Sequence, residues 1–90
     1  MSGDVQIYLV TSDRCGGCVQ AKEQLRSEIE SGAVIELSLE RNPVAGQILD
    51  ELGVKAIPAL LFARRTEDGK IAVCNEVGTA NAKCVVVDKL

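Results

Sequence analysis

The stretch VQIYLVTSDRCGGCVQAKEQL, residues 5–25, holds an apolar run, a polar break, two cysteines separated by two glycines, and the start of a helical pattern. VQIYLV (5–10) is nearly all apolar and β-prone, as a strand buried on both faces should be. From Cys18 onward, Cys18, Ala21, Leu25 and Ile29 recur at helical spacing, while Lys22, Glu23, Arg26, Glu28 and Glu30 point elsewhere. The spacing predicts one amphipathic helix of about four turns, ended by Ser31-Gly32. The Cys15-Gly16-Gly17-Cys18 motif is therefore expected where a strand hands over to a helix.

Working outward, AVIELSLE (33–40) alternates, with Ile35, Leu37 and Leu39 on one face and Glu36, Ser38 and Glu40 on the other, which reads as an edge strand with one wet face. Asn42-Pro43 opens a second helix, with Asn as the cap and Pro at the first helical position. Val44, Ile48, Leu49 and Leu52 form its apolar stripe, and Gly53 stops it. IPALLFA (57–63) is a further apolar run. Glu67-Asp68-Gly69 makes a hairpin turn, and KIAVCNEV (70–77) returns as a strand. Gly78-Thr79 caps a last segment, ANAKCVVVDKL (80–90), read as a helix although its three valines lower helix propensity. The order β-α-β-α-β-β-α follows, an α/β fold with a four-stranded mixed sheet flanked by three helices on its two faces.

Composition narrows the function classes. Ninety residues make a single domain, 1–90, with a thin stability margin. A net charge of −3 without any basic run argues against nucleic acid, where clustered Lys and Arg must neutralise phosphates. One Phe and one Tyr leave no base-stacking platform. The N-terminal segment has acidic residues on both sides of a short apolar run, unlike a signal peptide or a membrane span, so a cytoplasmic chain with no membrane contact is expected. Four cysteines in such a compartment are more often catalytic or metal-binding than structural. Histidine is absent, which removes the commonest general base and the mixed Cys/His zinc sites.

Three chemistries compete for CGGC. Zinc or an iron–sulfur cluster needs a second pair of ligands, and Cys74 with Cys84, ten positions apart, makes a poor one. A static disulfide over so short a loop contributes little entropy. A redox pair has a physical mechanism. The free N–H groups and positive dipole end of the helix favour a thiolate at Cys15. Positions 15 and 18 lie almost one turn apart, within disulfide reach. Cys18 belongs to the inward stripe and Cys15 to the exposed tip, so Cys15 attacks and Cys18 resolves the mixed disulfide. Arg14 beside Cys15 would favour the thiolate and Asp13 would oppose it, unless both are simply solvated charges on a loop, a reading that stays open. For Cys74 and Cys84, buried free thiols, a structural disulfide and a second redox or metal role all remain open.

C-x-x-C at the end of a first strand, in a β-α-β-α-β-β-α chain, resembles the thioredoxin/glutaredoxin superfamily. VKAIPALLF (54–62) is similar to that family's third strand, which opens with a cis-proline. The likeness covers nearly the whole chain at a small, glutaredoxin-like length. It implies the thioredoxin fold, dithiol–disulfide oxidoreductase activity and a cis Ile57–Pro58 bond facing the disulfide, with the preceding backbone pairing to substrate. By the same likeness Gly78 and Thr79, beyond strand four, join Ile57 and Pro58 in substrate binding. The chain departs from the pattern at Arg14, Gly16-Gly17 and Leu9, where thioredoxins carry Trp, Gly-Pro and a buried acid. The expected enzyme acts as a monomer on disulfide-containing proteins. It binds no cofactor and no metal, and a thioredoxin-reductase-like partner or thiol reductant recharges it. A glutathione-dependent glutaredoxin and a metal or iron–sulfur module are the alternatives.

Overall fold

Two parallel neighbours, β1 (Gln6–Thr11) and β2 (Val34–Ser38), pair from Ile7↔Val34 to Thr11↔Ser38. The connection between them is helical, as a parallel pair requires. The computed structural model describes residues 5–76 and 82–90. The crossover consists of α1 (Gly16–Gln24) and α2 (Arg26–Ser31) in place of one continuous helix. The break lies at Leu25, whose φ of −103° and ψ of 18° leave helical values. Gly32 ends α2 at φ 87° and Gly53 ends α3 (Pro43–Leu52) at φ 75°. Both stops are left-handed, the conformation for which glycine costs least. Pro43 starts α3 as expected, but the Asn42 side chain makes no cap bond. Its amide donates to the Ser38 carbonyl at 3.3 Å.

β3 (Ala59–Arg65) runs antiparallel to β1, with Val10↔Ala59 and Tyr8↔Leu61 in register. β4 (Ile71–Cys74) returns beside β3 through the Thr66–Lys70 turn. Tyr8, Val10, Leu37, Ala59, Leu61 and Val73 share one face of the sheet and pack on Ala45, Ile48, Leu49 and Leu52 of α3. Among the described residues, the other face is covered only over β1 and β2. There Lys22 of α1 reaches Glu36 of β2, above buried Leu9, Thr11 and Val34. Among the described residues, no helix is long and apolar enough to cross a membrane.

The final segment overturns the expected fold class. Cys84–Val87 is a fifth strand, β5, antiparallel to β4 from Cys74↔Cys84 to Ile71↔Val87. The sheet has five strands in the order β2-β1-β3-β4-β5, not four. The β-α-β-α-β-β-α thioredoxin fold with a terminal helix is thus corrected to β-α-α-β-α-β-β-β, with all three helices of the described residues before Gly53. The reason lies in Val85-Val86-Val87. β-branched side chains suit a pleated surface, and the open edge of β4 offers hydrogen bonds to a strand. As a strand, Val85 and Val87 turn toward the core while Val86 points to solvent at 56% exposure.

Cys74 and Cys84 are joined by a disulfide with a Cα separation of 4.1 Å. They face each other across the β4–β5 ladder, and the next residue pair exchanges a backbone bond from Asn75 N–H to the Lys83 carbonyl at 3.1 Å. The cysteines therefore occupy a non-hydrogen-bonded pair, where side chains approach most closely. The link closes a loop spanning ten positions, for which chain entropy amounts to about 2.5–3 kcal/mol. With residues 80–90 read as a helix, a bridge would have joined strand four to that helix. The cysteines meet between two strands.

Candidate functional site

Cys15 stands at the N-cap of α1 with extended backbone angles, φ −101° and ψ 108°. Its own N–H donates to the Ser12 carbonyl at 3.1 Å, closing the turn that leaves β1. The Cys18 N–H points at the Cys15 sulfur from 3.1 Å, so the thiol takes the place a serine or aspartate oxygen holds at most helix starts. Cys15 and Cys18 are disulfide-bonded, with a Cα separation of 5.3 Å. Cys18 is 2% exposed, whereas Cys15 is half-buried and flanked by exposed Arg14 and Gly16. In the reduced state the same N–H and the helix dipole favour a thiolate at Cys15.

Pro58 stands beside this motif. The Ile57–Pro58 peptide is cis. Val10↔Ala59 pairing places Pro58 level with Thr11, at the end of the sheet from which the cysteine turn springs. A Cβ built on Gly17 would lie 3.5 Å from Pro58 Cδ, so the second glycine of the motif lies close against the proline. Pro58 is exposed, and Ile57 is half-buried against the core. Gly78 and Thr79 lie outside the described residues.

Two polar clusters hold the approach to Cys15, and neither was foreseen. The Ser12 hydroxyl donates to Glu40 at 2.7 Å, the Asp13 N–H donates to the same carboxylate at 3.2 Å, and the Ser38 hydroxyl does so at 3.1 Å. Ser12 Oγ in turn accepts the Arg14 N–H at 3.2 Å. Glu40 thereby ties the 12–14 turn to the end of β2. The hydrogen bond from Ser12, above all, lowers its pKa from 4.5 to about 2. In the second cluster, Thr11 donates to Glu36 at 2.6 Å, and Lys22 sits 3.4 Å from that same oxygen. Lys22 is one turn beyond Cys18 on α1, and Glu36 is in register with Leu9, where the resemblance led one to look for an acid. The partners in the first cluster are about as far apart in sequence as β1 is from β2, so no local pattern reveals them.

Glu40 carries a pH prediction. A folded pKa below the unfolded value means its stabilisation is complete above about 4.5 and is lost as pH falls toward about 2. Glu40→Gln is therefore expected to flatten the stability profile in that acid window, measured by urea midpoints against pH. An unchanged profile would mean that the clasp is not held in solution.

Cys74–Cys84 is not brought to the site, since it joins β4 to β5 and β3 stands between them and β1. The two cysteine pairs thus form no common four-sulfur cluster, and among the described residues no three Cys, Asp or Glu side chains gather at one point. Compared with protein-family models, with curated proteins and with solved structures, the chain matches none.

Proposed function

We propose that the chain is a thiol–disulfide oxidoreductase working through Cys15 and Cys18. The observation that carries this reading is the pairing of a half-exposed helix-cap sulfur, held by the Cys18 N–H at 3.1 Å, with a neighbouring sulfur that is buried. The Cys15 thiolate attacks one sulfur of a substrate disulfide, and the other sulfur leaves as a thiolate that takes up a proton. Cys18 then loses its proton and attacks the Cys15 sulfur. The second substrate thiol is released, and the Cys15–Cys18 disulfide remains. The pair has lost two electrons and the substrate disulfide has gained them.

Substrates are disulfide-containing proteins, and the surface beside Cys15 and the exposed Pro58 is where an extended segment would lie. Electrons return from an external thiol or a dithiol reductase, so the chain needs no bound cofactor of its own.

The test is a titration of the reduced protein. Thiolate absorbance should report a Cys15 pKa below the free-cysteine value of about 8.5. The same preparation should reduce an insulin-type disulfide catalytically with a dithiol as electron source. A Cys15 titrating at or above the free value, together with no turnover, would end the proposal.

A further inference from the structure

The second disulfide faces open solvent. Phe62, Ala72, Cys74 and Cys84 lie on the side of the sheet opposite α3, and α1 and α2 reach only the β1–β2 half of that side. Leu60 and Val86 on the same side are 43% and 56% exposed, so no element among the described residues covers β3–β5 there. Cys84 is exposed and Cys74 half-buried. Both line a hollow of about 230 Å³ that Phe62, Arg64 and Ala72 help to form. β5 itself is four residues long and is paired on one side alone.

We infer that Cys74–Cys84 is a second thiol-exchange site, opened by a low-molecular-weight thiol that attacks the Cys84 sulfur. Exchange needs access to a sulfur along the S–S bond, and exposed disulfides are the labile ones. Attack at Cys84 joins the incoming sulfur to Cys84 and expels Cys74 as a thiolate. A second thiol then attacks the external sulfur of that adduct, freeing Cys84 and leaving the small-molecule disulfide. Two thiols are oxidised and one protein disulfide is reduced. Arg64 and Glu76 both line the same hollow, and their charges act on the anionic sulfur formed at each step in opposite senses. Val85 and Val87 still pack against the core, so the ladder keeps the two cysteines opposite each other and ready to re-form the bond.

The Cys15→Ser/Cys18→Ser variant isolates this site, so the outcome is independent of the role proposed for CGGC. Reduced glutathione in native buffer is the probe. Reduction is expected at a rate proportional to thiolate concentration, with the mixed disulfide mapped by mass spectrometry to Cys84 in about tenfold excess over Cys74. Should that variant not fold, differential alkylation of the wild-type chain reads the same two quantities. A rate independent of glutathione, limited by global unfolding, would overturn the inference, as would an adduct mainly on Cys74.

Discussion

Cys18→Ser is expected to accumulate covalent adducts with disulfide-containing proteins, while Cys15→Ser accumulates none. With Cys18 intact, its buried sulfur lies one helical turn from Cys15 and intercepts the mixed disulfide as soon as it forms. With serine there, nothing within the chain attacks the Cys15 sulfur, because Cys74 and Cys84 sit on β4 and β5, beyond the intervening β3, and are bonded to each other. Without Cys15 no adduct forms, since the remaining Cys18 sulfur is 2% exposed and out of reach of a folded partner. Catalytic reduction of insulin-type disulfides should fall on the order of a thousandfold or more in either variant, because the two sulfurs act as a unit. Non-reducing electrophoresis of each variant incubated with an oxidised protein checks the asymmetry. Equal trapping by both variants would reverse or cancel the division of roles.

Leu61→Ala should lower the unfolding free energy by about 3–4 kcal/mol, the range for emptying a fully buried leucine position. Leu61 is 0% exposed on the central strand β3, opposite Tyr8 and under α3. A domain of this size has roughly 5–13 kcal/mol to lose, so the melting temperature should drop by about 15–25 °C. Its neighbour is the control. Leu60 points to the uncovered side at 43% exposure, and Leu60→Ser should cost about 1 kcal/mol or less. Urea denaturation of the oxidised proteins measures both. A larger loss at 60 than at 61 would mean that β3 is shifted by one residue, since such a slip exchanges the faces of a strand.

Much of the site was legible because its parts are local. A four-residue C-x-x-C motif at a strand-to-helix junction needs only its own backbone to bring two sulfurs within reach, and the exposure of 15 against 18 follows from Cys15 standing at the helix tip while Cys18 belongs to the inward stripe. The hairpin through Glu67-Asp68-Gly69 and the Pro43 start of α3 are likewise written in neighbouring residues. The Ser12–Glu40 clasp could not be read this way. A serine before the motif and a glutamate after β2 are ordinary surface residues until the parallel pairing of β1 and β2 lays their C-terminal ends side by side.

The last eleven residues divide the two kinds of information most clearly. Their sequence alone determined that Val85-Val86-Val87 disfavours a helix, yet a cap-like Gly78-Thr79 before it kept the helical reading in force. Only the tertiary structure decided for a strand, because β4 presents an unpaired edge with Cys74 in line for Cys84. Local propensity distinguishes helix from strand here by tenths of a kcal/mol per residue. A ladder of backbone hydrogen bonds plus burial of alternate valines outweighs that difference. Such a partner lies outside the segment itself, which is why the Cys15–Cys18 junction could be read from within and β5 could not.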